Sequence, residues 1–373
     1  MRVLHLTSGN LFGGIESYLL TLARMRGLCP AMEPHFGLCF PGRLRDDLTA
    51  AGVPVHDLGS VRVSRPWTVM LARRRLKAVL REERIEAVVT HGTWPHAIFG
   101  AAVKRVGIRL VNAVHGTPTR RHWLDRWAAR TRPDAVVANS RFTAGPASDL
   151  FRMPASVLHC PVAPASAVDS SARAAIRREL GASPDDAVIL QASRLEAWKG
   201  QGELIRALGE LAGIPHWQVW FAGGPQRASE GAYLLELEGA ARSSGIAERV
   251  KFLGQRTDVR GLMGAADIYC QPNSAPEPFG IALVEALAAG LPVISTRFGG
   301  ALEIVDESCG VLVPPGDCSA LAAALQSLIA DPRRRRKLGD SGPARAAALC
   351  DPARQLSRFS ELIAGIAPAR VSR

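Results

Sequence analysis

The chain has 373 residues, of which 47% are apolar and 21% charged, and a formal net charge of +12. That length outgrows one hydrophobic core, so two domains are expected, and the apolar content excludes a largely disordered chain. No uncharged apolar run reaches the 18 residues of a membrane-spanning helix, and seven scattered cysteines without a C-x-x-C pair argue against a disulfide framework or a zinc site.

The chain opens on the strand-like Arg2-Val3-Leu4-His5-Leu6 with no signal-peptide pattern, so a cytoplasmic location is expected. In the first half, apolar strand candidates at 3–7, 36–40, 87–90, 110–114 and 135–138 are separated by helical stretches at 16–26, 67–83 and 97–106. Such alternation predicts a parallel sheet with helices on both faces. After the first strand, Gly9-Asn10-Leu11-Phe12-Gly13-Gly14-Ile15-Glu16 places a glycine pair at a helix start. It lacks the G-x-G-x-x-G spacing of a dinucleotide fold, which speaks against hydride transfer. Its glycines permit either close backbone approach to a ligand or a plain tight turn.

All the net charge falls in this half: residues 1–165 carry 23 Lys and Arg against 11 Asp and Glu, whereas the remainder carries 23 of each. Residues 60–132 hold 16 basic and 4 acidic side chains, among them Arg73, Arg74, Arg75 and Lys77 in one predicted helix. Such a field attracts an anionic partner: phosphorylated lipid, acidic glycan, nucleic acid or, as a peripheral contact, an anionic membrane surface. An arginine-rich, merely solvated surface is the other reading. Nucleic acid is not expected, because aromatic residues make up 6% and no recognition motif is present. His115, in Val114-His115-Gly116, follows a strand and suits a bond to a hydroxyl or a proton transfer, although a lone histidine also fits a structural role. His91 and His96 flank the preceding strand end and are expected to help shape an acceptor pocket. No carboxylate accompanies them, so no metal is expected there.

The segment 161–167, small and proline-bearing, reads as a linker. Beyond it the alternation resumes, with strands expected at 188–192, 219–222, 250–253, 268–271, 293–295 and 310–313. The domains implied are 1–163 and 168–350, with a C-terminal helical stretch at about 351–373 crossing back to the first. The fold class is therefore α/β, two Rossmann-like domains facing across a cleft, and ligands in such sheets bind beyond the carboxyl ends of the strands.

Two segments of the second half carry chemistry. Ser193-Arg194-Leu195-Glu196-Ala197-Trp198-Lys199-Gly200 follows a strand, where Arg194 and Lys199 suit a diphosphate; a surface ion pair with Glu196 or Glu203 is the alternative. In PEPFGIALVEALAAGLPVISTRFGG, residues 276–300, Pro276 and Pro278 hold a loop and the apolar run 281–287 reads as a helix. Backbone N–H groups near Phe279, Gly280 and Ile281 would then face an anion. Glu277 precedes that point and Glu285 lies about a turn into the helix, so both can accept bonds from hydroxyls of one ligand. The picture is a sugar joined to a nucleotide through phosphates. The basic cluster 333–337 reads as a solvated helix face.

The set GGIE at 13–16, VHG at 114–116, SRLEAWKG at 193–200, FAGG at 221–224, FLG at 252–254 and EPFGIALVEALAAGLPVI at 277–294 resembles the retaining, nucleotide-sugar-dependent glycosyltransferases of the GT-B fold, glycosyltransferase family 4. The resemblance implies that Glu277 holds hydroxyls of the donor sugar, with the N–H groups of Phe279, Gly280 and Ile281 at sugar and phosphate. It implies further that Glu285 binds the ribose, that Arg194 and Lys199 clamp the diphosphate, that Gly14 closes over the donor phosphates, and that His115 lies near the donor sugar. Gly254 marks the seat of the base. Catalytic roles therefore fall to Glu277, His115, Arg194 and Lys199.

No cofactor is implied beyond a UDP- or GDP-sugar as co-substrate, and no metal, since cations and the helix dipole neutralise the leaving diphosphate. The expected activity is transfer of a hexose-type sugar to a sugar or lipid-linked acceptor in cell-surface polysaccharide or glycolipid synthesis, at the inner face of the membrane. A same-fold sugar-nucleotide epimerase or phosphorylase is the enzymatic alternative, and a basic membrane- or nucleic-acid-binding module the alternative of another class. The segment Asn273-Ser274-Ala275-Pro276 departs from the shorter loop commonest in the family.

Overall fold

A computed structural model describes residues 1–10, 12–165, 168–226 and 228–367. It divides into two compact units, Met1–Ala163 with Cys350–Arg373, and Pro164–Leu349. Of the expected linker 161–167, Val162 and Ala163 are buried in the first unit and residues 166 and 167 lie outside the described residues.

In the first unit, among the described residues, seven strands form one sheet: β1 (Arg2–Thr7), β2 (Glu33–Leu38), β3 (Val55–Asp57), β4 (Ala87–His91), β5 (Arg109–Val114), β6 (Ala135–Ala138) and β7 (Ala155–Val157). The order is β3-β2-β1-β4-β5-β6-β7 and every pairing is parallel. β4 and β5 are buried along almost their whole length, polar residues included, as central strands of a parallel sheet are. Three differences from the expected elements have local causes. β3 and β7 were not foreseen, since each is a three-residue edge strand with little apolar run to betray it. β2 begins at Glu33, taking in Pro34 and His35 ahead of the apolar residues. The helix expected at 97–106 runs Thr93–Arg105, because Pro95 lies in its first turn, where a missing N–H costs nothing.

The C-terminal helix Pro352–Ala364 packs in this same unit. Its N-cap Asp351 accepts from the Arg354 N–H at 2.8 Å, and Leu356, Phe359 and Ile363 are buried. Arg109 Nε donates to the Ile366 carbonyl at 2.8 Å and the Val162 N–H to the Cys350 carbonyl at 3.0 Å, fastening both ends of the stretch. Residues 368–373 of the expected tail lie outside the described residues.

In the second unit, six strands are described: β8 (Ala187–Ala192), β9 (Trp217–Ala222), β10 (Val250–Phe252), β11 (Ile268–Gln271), β12 (Val293–Thr296) and β13 (Gly310–Val313). They order as β10-β9-β8-β11-β12-β13, again all parallel. Both sheets thus wind outward in two directions from a central pair, β1/β4 and β8/β11, the doubly wound topology that leaves a binding crevice where the order reverses. Trp217, Phe221, Ile268 and Ile294 anchor the core of the second sheet.

The entry to β8 and β11 is fixed by a buried ionic knot. Asp267, just before β11, accepts from Arg177 Nη1 at 2.9 Å, Arg173 Nη2 at 2.7 Å and the Val188 N–H at 2.8 Å. Arg177 is itself buried and also donates to the Ser183 and Asp186 carbonyls. Removing Arg177 leaves Asp267 paired with Arg173 alone and takes the donor from the Ser183 and Asp186 carbonyls, a loss of about 3 kcal/mol. Arg177→Ala is therefore expected to lower stability by about that amount in denaturant titration, while substitution of the exposed Arg178, one position on, should change it by less than about 0.5 kcal/mol.

Candidate active site

At the carboxyl ends of the central strands β8 and β11, the two segments singled out in the sequence meet. β8 ends at Ala192 and runs into the loop 193–200. β11 ends at Gln271 and runs into the loop that carries Glu277. Lys199 Nζ lies 2.5 Å from Glu277 Oε2, and both side chains are only 13% exposed. Asn273 Nδ2 donates to the same oxygen at 3.0 Å and Gln271 Nε2 at 3.2 Å. Two amide donors and one ammonium therefore converge on a single carboxylate oxygen. Its other oxygen, Oε1, has no protein partner among the described residues, which leaves it able to accept from a ligand hydroxyl.

The amides are themselves held. The Tyr269 hydroxyl lies 2.9 Å from Gln271 Oε1, and Gln271 Nε2 is 3.0 Å from Asn273 Oδ1. The Thr296 hydroxyl donates to the Asn273 carbonyl at 2.7 Å. On the β8 side, Gln191 Nε2 donates to the Lys199 carbonyl at 2.7 Å and Gln201 Nε2 to that of Arg194 at 2.8 Å. The ammonium of Lys199 also sits 3.9 Å above the Trp198 ring, a cation–π contact. Arg194 Nη2 pairs with Glu196 Oε2 at 2.9 Å, and the Trp198 indole donates to the same oxygen at 3.1 Å. Arg194 and Lys199 thus share a loop but have separate carboxylates, and the pairing with Glu196 that the sequence allowed is the one present.

Three glycine positions let these loops close on one another. Gly200 has φ +81°, and a Cβ there would stand 2.0 Å from the Pro272 carbonyl oxygen, so only glycine brings the β8 loop against the β11 loop. Gly223, at the end of β9, would place a Cβ 1.9 Å from the Ser193 carbonyl oxygen, and its N–H donates to the Gly254 carbonyl at 2.9 Å. Gly254 itself turns at φ +66°. A Cβ on Gly300 would sit 2.4 Å from the Phe279 carbonyl oxygen, and the Gly300 N–H donates to the Glu277 carbonyl at 2.7 Å.

Phe279 is buried, and Gly280, at φ +106°, is the N-cap of the helix Ile281–Ala288. Glu285 lies in the second turn of that helix. Burial pushes its carboxyl up to about 7, and the charge of Arg260 opposes this only in part. Among the described residues its carboxylate has no hydrogen-bond partner or ion pair.

The other named residues are in the first unit. Gly14 is the first residue of the helix Gly14–Arg24, and the Gly13 N–H is taken up by Glu16 Oε2 at 3.0 Å, so the glycine pair forms a capped helix start. Leu11 of that motif lies outside the described residues. His115 follows β5, half-buried, with Nε2 3.0 Å from His91 Nδ1. His91 is buried within β4, and His96 is buried in the helix after it, between the Thr90 hydroxyl at 2.9 Å and the Thr131 carbonyl at 2.8 Å. Burial lowers His96 to about 4. The expectation that His91 and His96 shape an acceptor pocket is thus corrected: the first lies inside the sheet and the second is a satisfied core residue. Gln191, Gln271, Asn273, Gly223 and Gly300 were not singled out as site residues in the sequence. A signal for the glutamines existed, namely a polar residue closing an otherwise apolar strand in Ala187–Ala192 and Ile268–Gln271.

Two doubly wound sheets, with loops that converge at the carboxyl ends of β8 and β11, define an α/β enzyme scaffold, and the family comparison is direct. A family model described as Glycosyl transferases group 1 matches residues 172–345, and one described as Glycosyltransferase Family 4 matches residues 12–166. The chain belongs to this glycosyltransferase family and has its GT-B fold. It is 32% identical over 333 residues to the GDP-mannose-dependent alpha-(1-6)-phosphatidylinositol monomannoside mannosyltransferase of Mycolicibacterium smegmatis, covering 83% of this chain and 85% of that enzyme. To the GDP-mannose-dependent monoacylated alpha-(1-6)-phosphatidylinositol monomannoside mannosyltransferase of Corynebacterium glutamicum it is 28% identical, with 89% of each chain covered. The crystal structure of Anabaena Alr3699/HepE in complex with UDP and glucose superposes with a TM-score of 0.85 at 25% identity, over 98% of this chain and 100% of that one.

Proposed function

We propose that this glycosyltransferase moves a hexose-type sugar from a UDP- or GDP-sugar to a hydroxyl of a lipid-linked or sugar acceptor in glycolipid or surface-polysaccharide synthesis, with retention of anomeric configuration and without a metal. The observation that carries the reading is the Lys199–Glu277 pair, braced by Gln271 and Asn273, at the carboxyl ends of β8 and β11. In this reading Lys199 and Arg194 offset the charge that develops on the departing diphosphate, and the free oxygen of Glu277 holds a sugar hydroxyl. In the second unit the helix start at Phe279, Gly280 and Ile281 and the turn at Gly254 are assigned to the donor; in the first unit Gly14 and His115 are the residues assigned to donor contact, His115 to the sugar. Two mannosyltransferase relatives named for phosphatidylinositol-linked acceptors support the lipid-linked acceptor. The test is incubation with labelled nucleotide sugars, purified lipid acceptors and a chelator. Label should enter the acceptor with the donor's anomeric configuration, and Lys199→Ala should slow transfer about tenfold or more. Label released only as free sugar or epimerised nucleotide sugar would overturn the reading.

Glu285 is assigned to the ribose hydroxyls. Its carboxyl, raised to about 7 by burial, is largely neutral below that pH and ionised above it, and the ionised form accepts the stronger, charge-assisted bonds. Affinity for the intact nucleotide sugar, measured by calorimetry, should therefore rise between about pH 6 and about pH 8. Glu285→Gln should weaken binding and abolish that rise.

The membrane contact is placed on the helix Pro66–Glu82. Its Val69, Ala72, Leu76 and Leu80 are buried, while Trp67, Met70 and Leu71 are exposed on one face beside Arg74 and Lys77. Among the described residues no helix is long and apolar enough to cross a membrane, so contact would be peripheral. Each basic side chain near an anionic surface contributes about 1 kcal/mol, and the apolar face adds burial in the headgroup boundary. Flotation with anionic vesicles should exceed flotation with neutral ones, and Trp67→Ser with Leu71→Ser should reduce it; equal flotation with both vesicle types would remove the assignment.

A further inference from the structure

Three histidines from three neighbouring strands form a line in the first unit. His5 lies on β1, His91 ends β4 and His115 follows β5, and β4 pairs with both β1 and β5. His5 Nδ1 is 2.9 Å from His91 Nε2, and His91 Nδ1 is 3.0 Å from His115 Nε2. Successive rings stack with centroids 5.2 Å apart. The Tyr18 ring flanks His91 and His115 at 5.6 and 5.5 Å, and Phe36 and Phe359 flank His5.

Each neutral imidazole carries one N–H and one bare nitrogen, and each short N···N contact needs one of each. Three neutral rings sharing two contacts must therefore all point the same way. In one polarity His5 donates to His91, His91 donates to His115, and the proton of His115 is left on Nδ1. In the reverse polarity the proton of His5 is left on Nε2. That atom is buried without a hydrogen-bond partner, and the aromatic neighbours Phe36 and Phe359 offer it no lone pair. An orphaned buried N–H is the rarer and costlier defect than a bare acceptor. The burial that disfavours a charge anywhere along the line, holding His5 near 3 and His115 near 4, keeps all three rings neutral.

We infer that His5 and His91 are positioning residues that hold His115 as its Nδ1–H tautomer, so that His115 meets the substrate as a hydrogen-bond donor to a sugar oxygen and not as a base. The substrate half of this rests on the reading of His115 as a donor-sugar contact. The tautomer half does not, which makes the two separable by experiment.

Long-range 1H–15N correlation on the full chain with 15N-labelled histidine reads which ring nitrogen carries the proton. His115 is expected protonated at Nδ1 and bare at Nε2, and protonation at Nε2 would overturn the inference. Addition of a nucleotide sugar should shift the Nδ1 signal of His115, whereas the bare nucleoside diphosphate should not. The expected tautomer with no response to any nucleotide sugar would overturn the substrate contact and leave the relay standing. His91→Phe removes the donor to His115 Nε2 and should give a mixed tautomer, with KM for the nucleotide sugar raised about fivefold and kcat changed less. A fully Nδ1-protonated His115 and an unchanged KM in that variant would overturn the positioning role. Should the variant not fold, the measurement on the unmodified chain still decides.

Discussion

The Lys199–Glu277 pair is the interaction around which the second unit is arranged. Burying two charges forfeits their hydration, and attraction alone recovers that loss only when the geometry is close and the remaining valences are met. Here the contact is 2.5 Å, and two amide donors from the β11 strand and loop converge on the same carboxylate oxygen. The cost of burial is offset by a network whose members come from both central strands, so neither loop can shift without breaking it. Removing Lys199 would also take away the cation that faces Glu277, so such a variant combines a missing charge with a carboxylate free to shift.

Close approach of backbones is the second constraint. The loops after β8, β9, β11 and β12 press on one another at Gly200, Gly223 and Gly300, each where a Cβ would fall within 2.4 Å of a carbonyl oxygen. No side-chain rearrangement relieves a clash with backbone, so these positions admit glycine alone. The result is a small site walled by main chain, in which polar side chains at strand ends have few orientations open to them. Glu285 differs. It is held by the helix that carries it, burial raises its carboxyl to about 7, and no described protein group satisfies it, the condition of a side chain whose partner is a ligand.

The first unit solves a different problem. It is strongly basic, with an excess of 12 positive charges in residues 1–165, while it keeps a line of neutral histidines toward the carboxyl ends of its central strands. The two do not conflict, because burial disfavours the imidazolium at each of the three rings. Surface arginines act through a field that reaches about a Debye length, whereas the histidines act only through contact.

Much was legible in the linear order of residues. Long apolar runs announced β1, β4 to β6 and all six strands of the second sheet to within two residues, because a strand covered on both faces has no reason to alternate. Proline and glycine marked the loop before the helix Ile281–Ala288, and the strand-end segments 193–200 and 276–285 stood out by residue type. What could not be read there depends on separation in the chain. Lys199 and Glu277 are 78 residues apart, and nothing local says that β8 and β11 are neighbours with β9 and β10 on the far side. Three-residue edge strands such as β3 and β7 owe their conformation to a partner strand and not to their own composition. Gln271, Asn273, Gly223 and Gly300 became site residues, and His96 ceased to be one, for the same reason. A side chain's type sets which bonds it can make, but which groups stand within 3 Å of it is settled by how distant strands pair and pack.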